Sequence, residues 1–227
     1  MRHLGGFILA AVAVALFTAP VAGARPLNPH RHGAIITAAK PAWLGESWAQ
    51  IVSLPLSENP FEGNGNPCLT VGHKVLQEIG GPCTMQEGWV FILGFGGVAD
   101  NVEAPFPHTQ AEQCAVAQAS DRAYFVGATV SVDGGAPVDV HTPRFELCSP
   151  QRTVLLPAEN IGGLPGPQIV TITAHGFPAA VRHLGPGRHT IVGDAVRADG
   201  THWTVPHTLI VVPRHASNGD TRHQADE

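Results

Sequence analysis

The chain has 227 residues, of which 26 are glycine, 20 are proline and only 14% are charged. This composition is typical of many turns and short strands and argues against long solvated helices. The formal net charge is −5, and no cluster of Lys and Arg offers the positive surface that nucleic acid requires, so that class of partner is excluded.

Residues 1–24 have the pattern of a secretory signal peptide. Arg2 and His3 precede an apolar run, and small residues end at Ala24, after which we expect cleavage. The run is too short for a comfortable membrane span, so no stable transmembrane anchor is expected. The pattern predicts a secreted, extracellular protein, with retention at the cell envelope as an alternative.

Residues 25–42 show no sustained periodicity and are predicted to be a flexible leader, and residues 213–227 a disordered tail. Between them, apolar residues recur at helical spacing from Trp43 to Ser53, which predicts a short amphipathic helix that ends before Pro55. Trp43 and Trp48 are interpreted as packing residues of that helix.

Residues 58–67 are a dense run of turn-forming residues. Their carboxylate and amide oxygens are calcium ligands by type, but their spacing matches no known calcium loop. A surface loop leading into Cys68 explains the composition by turn chemistry alone, and we favour it.

Two further elements precede residue 123. Gly88 to Phe95 is an apolar run bounded by glycines, which predicts a buried strand. Thr109 followed by Glu112 is a capping box, the clearest helix start in the chain. The inward face of this second helix is predicted to consist of Ala111, Cys114, Ala115 and Gln118.

From Ala123 onward, short β-rich runs alternate with Gly- and Pro-containing turns, which is typical of a β-sandwich. In one of them, Val170, Ile172 and Ala174 are predicted to face the core, and Thr171, Thr173 and His175 to face solvent. The predicted strands are 124–132, 137–140, 153–156, 169–174, 189–196 and 202–212, with a turn at Asp133-Gly134-Gly135 between the first two.

The four cysteines, Cys68, Cys83, Cys114 and Cys148, are most simply explained as two disulfides in an exported protein. Spacing alone leaves three pairings open. Proximity in sequence favours Cys68–Cys83 and Cys114–Cys148, and the second of these would attach the capped helix to the sheet. A metal site is the alternative, but no closely spaced C-x-x-C pair supports it.

Four stretches in chain order resemble a broad group of uncharacterised secreted bacterial proteins whose C-terminal half reads DGYW, then PL-x-PG-x-HTI, then a final strand. The resemblance implies an exported β-sandwich and no particular activity. In place of DGYW the chain has His175-Gly176-Phe177-Pro178, without the acidic residue. The stretches are residues 43–60, Asn66-Pro67-Cys68 with Cys83, Val132-Asp133-Gly134 and residues 184–191.

The 13 histidines and the scattered carboxylates are candidates for chemistry. His30 and His32 lie in the predicted leader, and His202 and His207 lie five residues apart on the last predicted hairpin, a spacing that does not define a metal site. His189 is expected to hydrogen-bond the loop before its strand. Glu146, Glu159 and Asp194 are candidates for the paired carboxylates of a glycosidase, although surface carboxylates are the simpler interpretation.

No Gly-x-Ser-x-Gly elbow or Ser/His/Asp set is recognisable, and we assign no catalytic, cofactor-binding or metal-binding residue. The sequence predicts an all-β protein, a single β-sandwich domain over residues 43–212 of jelly-roll or immunoglobulin-like type, with one or two short helices. The function we favour is a non-catalytic extracellular or envelope-associated binding module, with an envelope component or another extracellular protein as its partner. The alternatives are a secreted hydrolase with a His/carboxylate site assembled by the fold and a purely structural surface protein.

Overall fold

The computed structural model of the protein describes residues 33–214, and over this range it is built mainly of short strands. The predicted all-β class with short helices is confirmed. The helices are α1 (Pro41–Val52) and α2 (Gln110–Tyr124). The strands are β1 (Ile35–Ala38), β2 (Cys68–Gly72), β3 (Val75–Glu78), β4 (Cys83–Gln86), β5 (Val90–Leu93), β6 (Gly96–Asp100), β7 (Phe125–Val132), β8 (Val138–Asp139), β9 (Leu147–Cys148), β10 (Arg152–Leu156), β11 (Gln168–Gly176), β12 (Ala179–Arg182), β13 (Gly187–Arg197) and β14 (His202–Val212).

The strands of the described range form three sheets. The first sheet has the order β1-β12-β5-β3-β2, the second has β10-β11-β6 with β9 also paired to β11, and the third has β4-β14-β13-β7-β8. All pairs are antiparallel except β3–β5 and β4–β14. Every sheet therefore joins strands from distant parts of the chain.

The largest apolar cluster lies between the first and third sheets. Phe91 and Leu93 of the first sheet pack with Val130, Ile191 and Leu209 of the third, and all five are buried. Burial of apolar side chains from both sheets is the main favourable term in the stability of such a fold.

Helix α1 lies against both the first and the second sheet. Ile51 packs with Ile92 on the face of β5 opposite to Phe91, while Val52 packs with Val170 and Ile172 of the second sheet. Pro41 occupies the first turn, where its missing N–H costs no hydrogen bond. The helix begins at Pro41, two residues before the predicted start at Trp43.

The segment predicted as a flexible leader contains a strand, so that prediction was wrong for residues 35–42. Strand β1 pairs with β12 in the register Ile35–Arg182 to Ala38–Ala179. A strand of four residues is too short to show a clear alternation in the sequence, and it is stabilised by pairing with a neighbouring strand. The sequence pattern therefore did not indicate β1. The predicted signal peptide and most of the predicted tail lie outside the described residues.

The loop at residues 58–67 uses its amide side chains to hold its own backbone. The side-chain nitrogens of Asn59, Asn64 and Asn66 donate hydrogen bonds to the backbone carbonyls of Ile51, Leu56 and Cys68. Asn59 has no exposed surface. The side-chain amides of this loop therefore have the backbone hydrogen bonds that are typical of turns.

The structure contains two disulfides with the pairing that proximity in sequence favours. Cys68–Cys83 links β2 to β4, and Cys114–Cys148 links α2 to β9. The predicted capping box at the start of α2 is also present, since Thr109 Oγ1 accepts from the Glu112 N–H and the Glu112 carboxylate accepts from the Thr109 N–H.

The buried face of α2 is not the predicted one. Gln113, Ala117 and Asp121 are buried, whereas Ala111 and Ala115 are exposed. The prediction followed the small apolar residues, but the helix turns a mainly polar stripe toward β11. That polar stripe positions the candidate site.

Candidate functional site

The densest group of titratable side chains surrounds His175 on β11. Asp121, in the last turn of α2, contacts the His175 ring, and so does Glu146 from the segment just before β9. Arg122, also in the last turn of α2, contacts Glu146. The Cys114–Cys148 disulfide ties α2 to β9, two residues after Glu146. We call Asp121, His175, Glu146 and Arg122 the His175 cluster.

Both ring nitrogens of His175 face carboxylates. Nδ1 lies 2.8 Å from Asp121 Oδ2 and Nε2 lies 3.2 Å from Glu146 Oε1. Arg122 holds the same Glu146 in a two-point contact, with Nε 2.8 Å from Oε1 and its terminal nitrogen 3.0 Å from Oε2. His175 itself is 0% exposed.

The surroundings shift the pKa values of the two carboxylic acids in opposite directions. Burial raises the pKa of Asp121, although hydrogen bonds from His175 and from the Gly97 N–H oppose that effect. The hydrogen bonds from Arg122, supported by Gln118 and His175, lower the pKa of Glu146 to about 2.

Each contact between the His175 ring and a carboxylate requires a hydrogen atom between the nitrogen and the oxygen. A ring placed between two carboxylate oxygens needs a donor on each side, so either both ring nitrogens carry hydrogen or one carboxyl group does. Because His175 has no exposed surface, its ring cannot touch an external substrate. The His175 cluster is therefore a structural contact that joins α2, β11 and the segment just before β9.

Polar contacts continue from this cluster along β11. The Gln113 side-chain amide donates to the Thr171 carbonyl at 2.9 Å and accepts from Thr173 Oγ1 at 2.8 Å. The prediction that Thr173 and His175 face solvent was wrong, because α2 covers that face of the strand and both residues are 0% exposed. The predicted inward residues Val170, Ile172 and Ala174 are buried, as expected.

A second buried pair connects the first and third sheets. His207 Nδ1 on β14 lies 2.5 Å from Glu78 Oε2 at the end of β3, and Glu78 Oε1 accepts from the Gly81 N–H at 2.6 Å. The His207 ring also packs against Phe91, with ring centroids 5.6 Å apart. Sequence reasoning did not identify Glu78, which is 129 residues from its partner.

Two other histidines pair with carboxylates nearer the surface. His189 contacts Asp133 at 2.8 Å and the Gly185 carbonyl at 2.7 Å, so it does hydrogen-bond the loop before its strand. His202 contacts Asp194 at 2.8 Å and is largely exposed. His202 and His207 have different partners, and the odd spacing places them on opposite faces of β14.

The three predicted carboxylates lie in different surroundings. Glu146 belongs to the His175 cluster, Asp194 contacts His202 and Thr204, and Glu159 is exposed. His30 and His32 lie outside the described residues. Within residues 33–214, no group of three or more His, Cys, Asp or Glu side chains is arranged to hold a metal ion.

An open cavity lined by aromatic and charged side chains lies beside α1. A cavity of about 440 Å³ is lined by Trp43 and Glu46 of α1, Thr70 and Gly72 of β2, and Arg152 of β10. We call these five residues the Trp43 groove. A second cavity of about 420 Å³ lies further along the same helix, beside Gln50 and Ser53.

The groove is framed by helix α1 and by one strand from each of the two sheets that pack against it. Helix α1 is fixed by apolar contacts to two sheets, and Arg152 begins a strand of the second sheet while Thr70 and Gly72 belong to the first. A Cβ atom on Gly72 would lie 3.0 Å from Trp43 Nε1, so the indole edge rests on the glycine backbone. The groove therefore lies at a junction of three packed elements.

No protein-family model, no curated protein and no solved structure matched the chain when it was compared with them. None of the helices within residues 33–214 has both the length and the apolar character needed to cross a membrane.

Proposed function

We propose that the protein is an exported, non-catalytic binding module of the cell envelope or extracellular space, and that the Trp43 groove is its binding surface. The observation that carries the proposal is the groove itself, where an indole, a carboxylate and a guanidinium converge on an open concavity between packed elements. Concave surfaces with a few convergent polar groups are where ligands usually bind.

Export is supported by two independent features. The first 24 residues have the three parts of a secretory signal, and the chain has two disulfides, which persist in oxidising compartments. Export also gives the disulfides a role, since each would limit opening of the fold outside the cell.

A binding role agrees better with the burial of the titratable groups than the hydrolase alternative does. A hydrolase needs its acid or base within reach of the substrate. In the His175 cluster, by contrast, the imidazole is 0% exposed and each ring nitrogen is already bonded. A purely structural surface protein would need no open groove.

Retention assays test the binding role. The protein purified from cells expressing the full chain is applied to cell-wall material, to immobilised glycans and to culture-supernatant proteins. Thr70→Phe fills the groove from an exposed strand position, and Thr84→Phe is its control on an exposed position of β4. We expect retention on at least one material, reduced about tenfold by Thr70→Phe alone, a loss of roughly 1.4 kcal/mol. No retention, or equal retention of both variants, contradicts the proposal.

Cell fractionation tests export separately. We expect the protein in the medium or the envelope fraction, with a mass that shows removal of residues 1–24. A cytoplasmic protein that retains Met1 to Ala24 contradicts this part of the proposal.

A further inference from the structure

Arg152 has hydrogen-bonding capacity that the described residues do not use. Its Nε is buried and has no hydrogen-bond partner within residues 33–214. Its terminal nitrogen lies 3.6 Å from Glu46 Oε2, which is too long for a hydrogen bond. A guanidinium has five N–H donors in a planar fork that fits the oxygens of a carboxylate or phosphate. The Arg152 side chain lines the groove and is 37% exposed, so its terminal nitrogens, and not the buried Nε, are the donors that can meet a ligand there.

Two more cations lie against the indole of Trp43, which lines the same groove. Lys40 Nζ is 5.2 Å and Arg182 Cζ is 5.6 Å from the Trp43 ring centroid, within the range of cation–π contact. Among the described residues neither cation forms an ion pair with a carboxylate. Arg152 lines the groove, and Lys40 and Arg182 lie against the Trp43 ring that also lines it, so positive charge is concentrated beside the groove in a chain of net charge −5.

Glu46 is the single acidic residue lining this groove, and it holds Arg152 only loosely. Its Oε1 accepts a hydrogen bond from Gln50 at 3.1 Å, while its Oε2 lies at the 3.6 Å distance from Arg152. Both side chains of this ion pair are 37% exposed, so the pair contributes little to stability. An external anion can replace Glu46 as the partner of Arg152 at small cost.

The start of α1 adds to the same potential. Ala42, in the first turn, lines the cavity, and that turn has neither a side-chain cap nor an acidic residue. The positive end of the helix dipole is thus uncompensated beside the groove. This feature supports anion binding that Arg152 and the two cations already favour.

From these contacts we infer that the Trp43 groove binds an anionic oxygen group, a carboxylate or a phosphate, with Arg152 as its main hydrogen-bond donor. The inference rests on the proposed function, because it names the ligand chemistry of the surface proposed there. Lys40 and Arg182 supply long-range attraction, and Glu46 competes with the ligand for Arg152.

Titration with simple anions tests the inference directly. Sodium acetate and sodium phosphate are added to the full-length protein at constant ionic strength, and the indole N–H resonance of Trp43 is followed by NMR, assigned with Trp43→Phe. We expect a saturable shift with at least one anion. The acetate and phosphate arms show which source of anionic oxygen the groove prefers.

Charge variants distinguish specific anion binding in the Trp43 groove from nonspecific electrostatic attraction to the protein surface. We expect Arg152→Gln to weaken binding about tenfold and Glu46→Gln to tighten it about threefold, because the second change removes the competing carboxylate. Arg188→Gln, at an exposed position of β13, is the matched control and should leave the affinity unchanged. A shift that does not saturate, or an affinity that Arg152→Gln leaves unchanged, overturns the inference.

Failure of the inference is distinguishable from failure of the proposed function. If the protein is retained on envelope material but neither anion saturates the Trp43 signal, the ligand chemistry is wrong and the binding role stands. If an anion saturates the signal but no material retains the protein, the anion site stands and the proposed binding role is wrong.

Discussion

His175 lies between Asp121 and Glu146, with each ring nitrogen within 3.2 Å of a carboxylate oxygen. This contact joins α2, β11 and the segment before β9 in the interior of the protein. Because a buried polar group that loses its hydrogen-bond partner destabilises the fold, we expect the position of α2 to be sensitive to the loss of either buried partner.

Replacing His175 with alanine should destabilise the protein strongly. The change opens a cavity and leaves the buried Asp121 with the Gly97 N–H but without its histidine, so we expect a loss of about 3–5 kcal/mol in the free energy of unfolding. Urea denaturation measures the loss. His73→Ala, at an exposed position, is the control and should change stability by less than about 0.5 kcal/mol.

The same substitution can be partly compensated. Adding Asp121→Asn to His175→Ala removes the uncompensated buried carboxylate, so the double variant should be more stable than His175→Ala alone. Equal stability of the two variants would show that the lost packing, and not the charge, sets the cost.

Glu146→Gln should change how stability depends on pH. The folded-state pKa of Glu146 is about 2, below its ordinary value of 4.5, so its ionised form stabilises the fold above pH 4.5. That contribution is lost as the pH falls from about 4.5 toward 2. We therefore expect the variant to be less stable than the original protein at pH 7 and the difference to shrink at pH 3.

Urea unfolding at the two pH values measures this change. The charge of Glu146 is also one of the causes that raise the pKa of Asp121, so its removal favours the ionised form of Asp121 and acts in the opposite direction. Glu159→Gln, an exposed carboxylate, provides the control. A stability difference that is the same at pH 7 and pH 3 would disprove the role assigned to the ionised Glu146.

The two disulfides should contribute unequally. The Cys114–Cys148 disulfide joins residues 34 apart in sequence, and the Cys68–Cys83 disulfide joins residues 15 apart. A disulfide that closes a longer loop removes more conformational entropy from the unfolded chain. Paired Cys→Ala replacement should cost about 4 kcal/mol for the first and about 3 kcal/mol for the second. Thermal and urea unfolding of the two double variants measure the order, and the reverse order contradicts the expectation.

Glu78→Ala should weaken the contact between the first and third sheets. It removes the partners of His207 and of the Gly81 N–H, two interior hydrogen bonds, and we expect a loss of about 2–4 kcal/mol. Glu62→Ala, at an exposed position, should be nearly neutral. Hydrogen exchange at the amides of β3 and β14 shows whether the loss is local, and unchanged protection there argues against the bridging role.

The elements with strong local signals were predicted well. The capping box of Thr109 and Glu112 marked the start of α2, and the apolar run at Gly88 to Phe95 contains β5, whose Phe91 is 0% exposed. These signals are contained within a few residues, so they are readable without knowledge of the rest of the fold.

Elements defined by a distant partner were missed. Strand β1 exists through its pairing with β12, about 145 residues later, and the polar face of β11 is buried because α2 covers it. The usual alternation rule assumes that the polar face of an antiparallel strand meets water. That assumption placed His175 at the surface.

The amino-acid sequence by itself determined the all-β class, the two capped or amphipathic helices and the favoured cysteine pairing, because propensity, spacing and chain proximity act locally. Tertiary structure alone decided the sites. Asp121 and Glu146 lie 54 and 29 residues from His175, and Trp43 and Arg152 share one groove from separate elements. A contact between side chains depends on distance in space, which local sequence patterns do not encode.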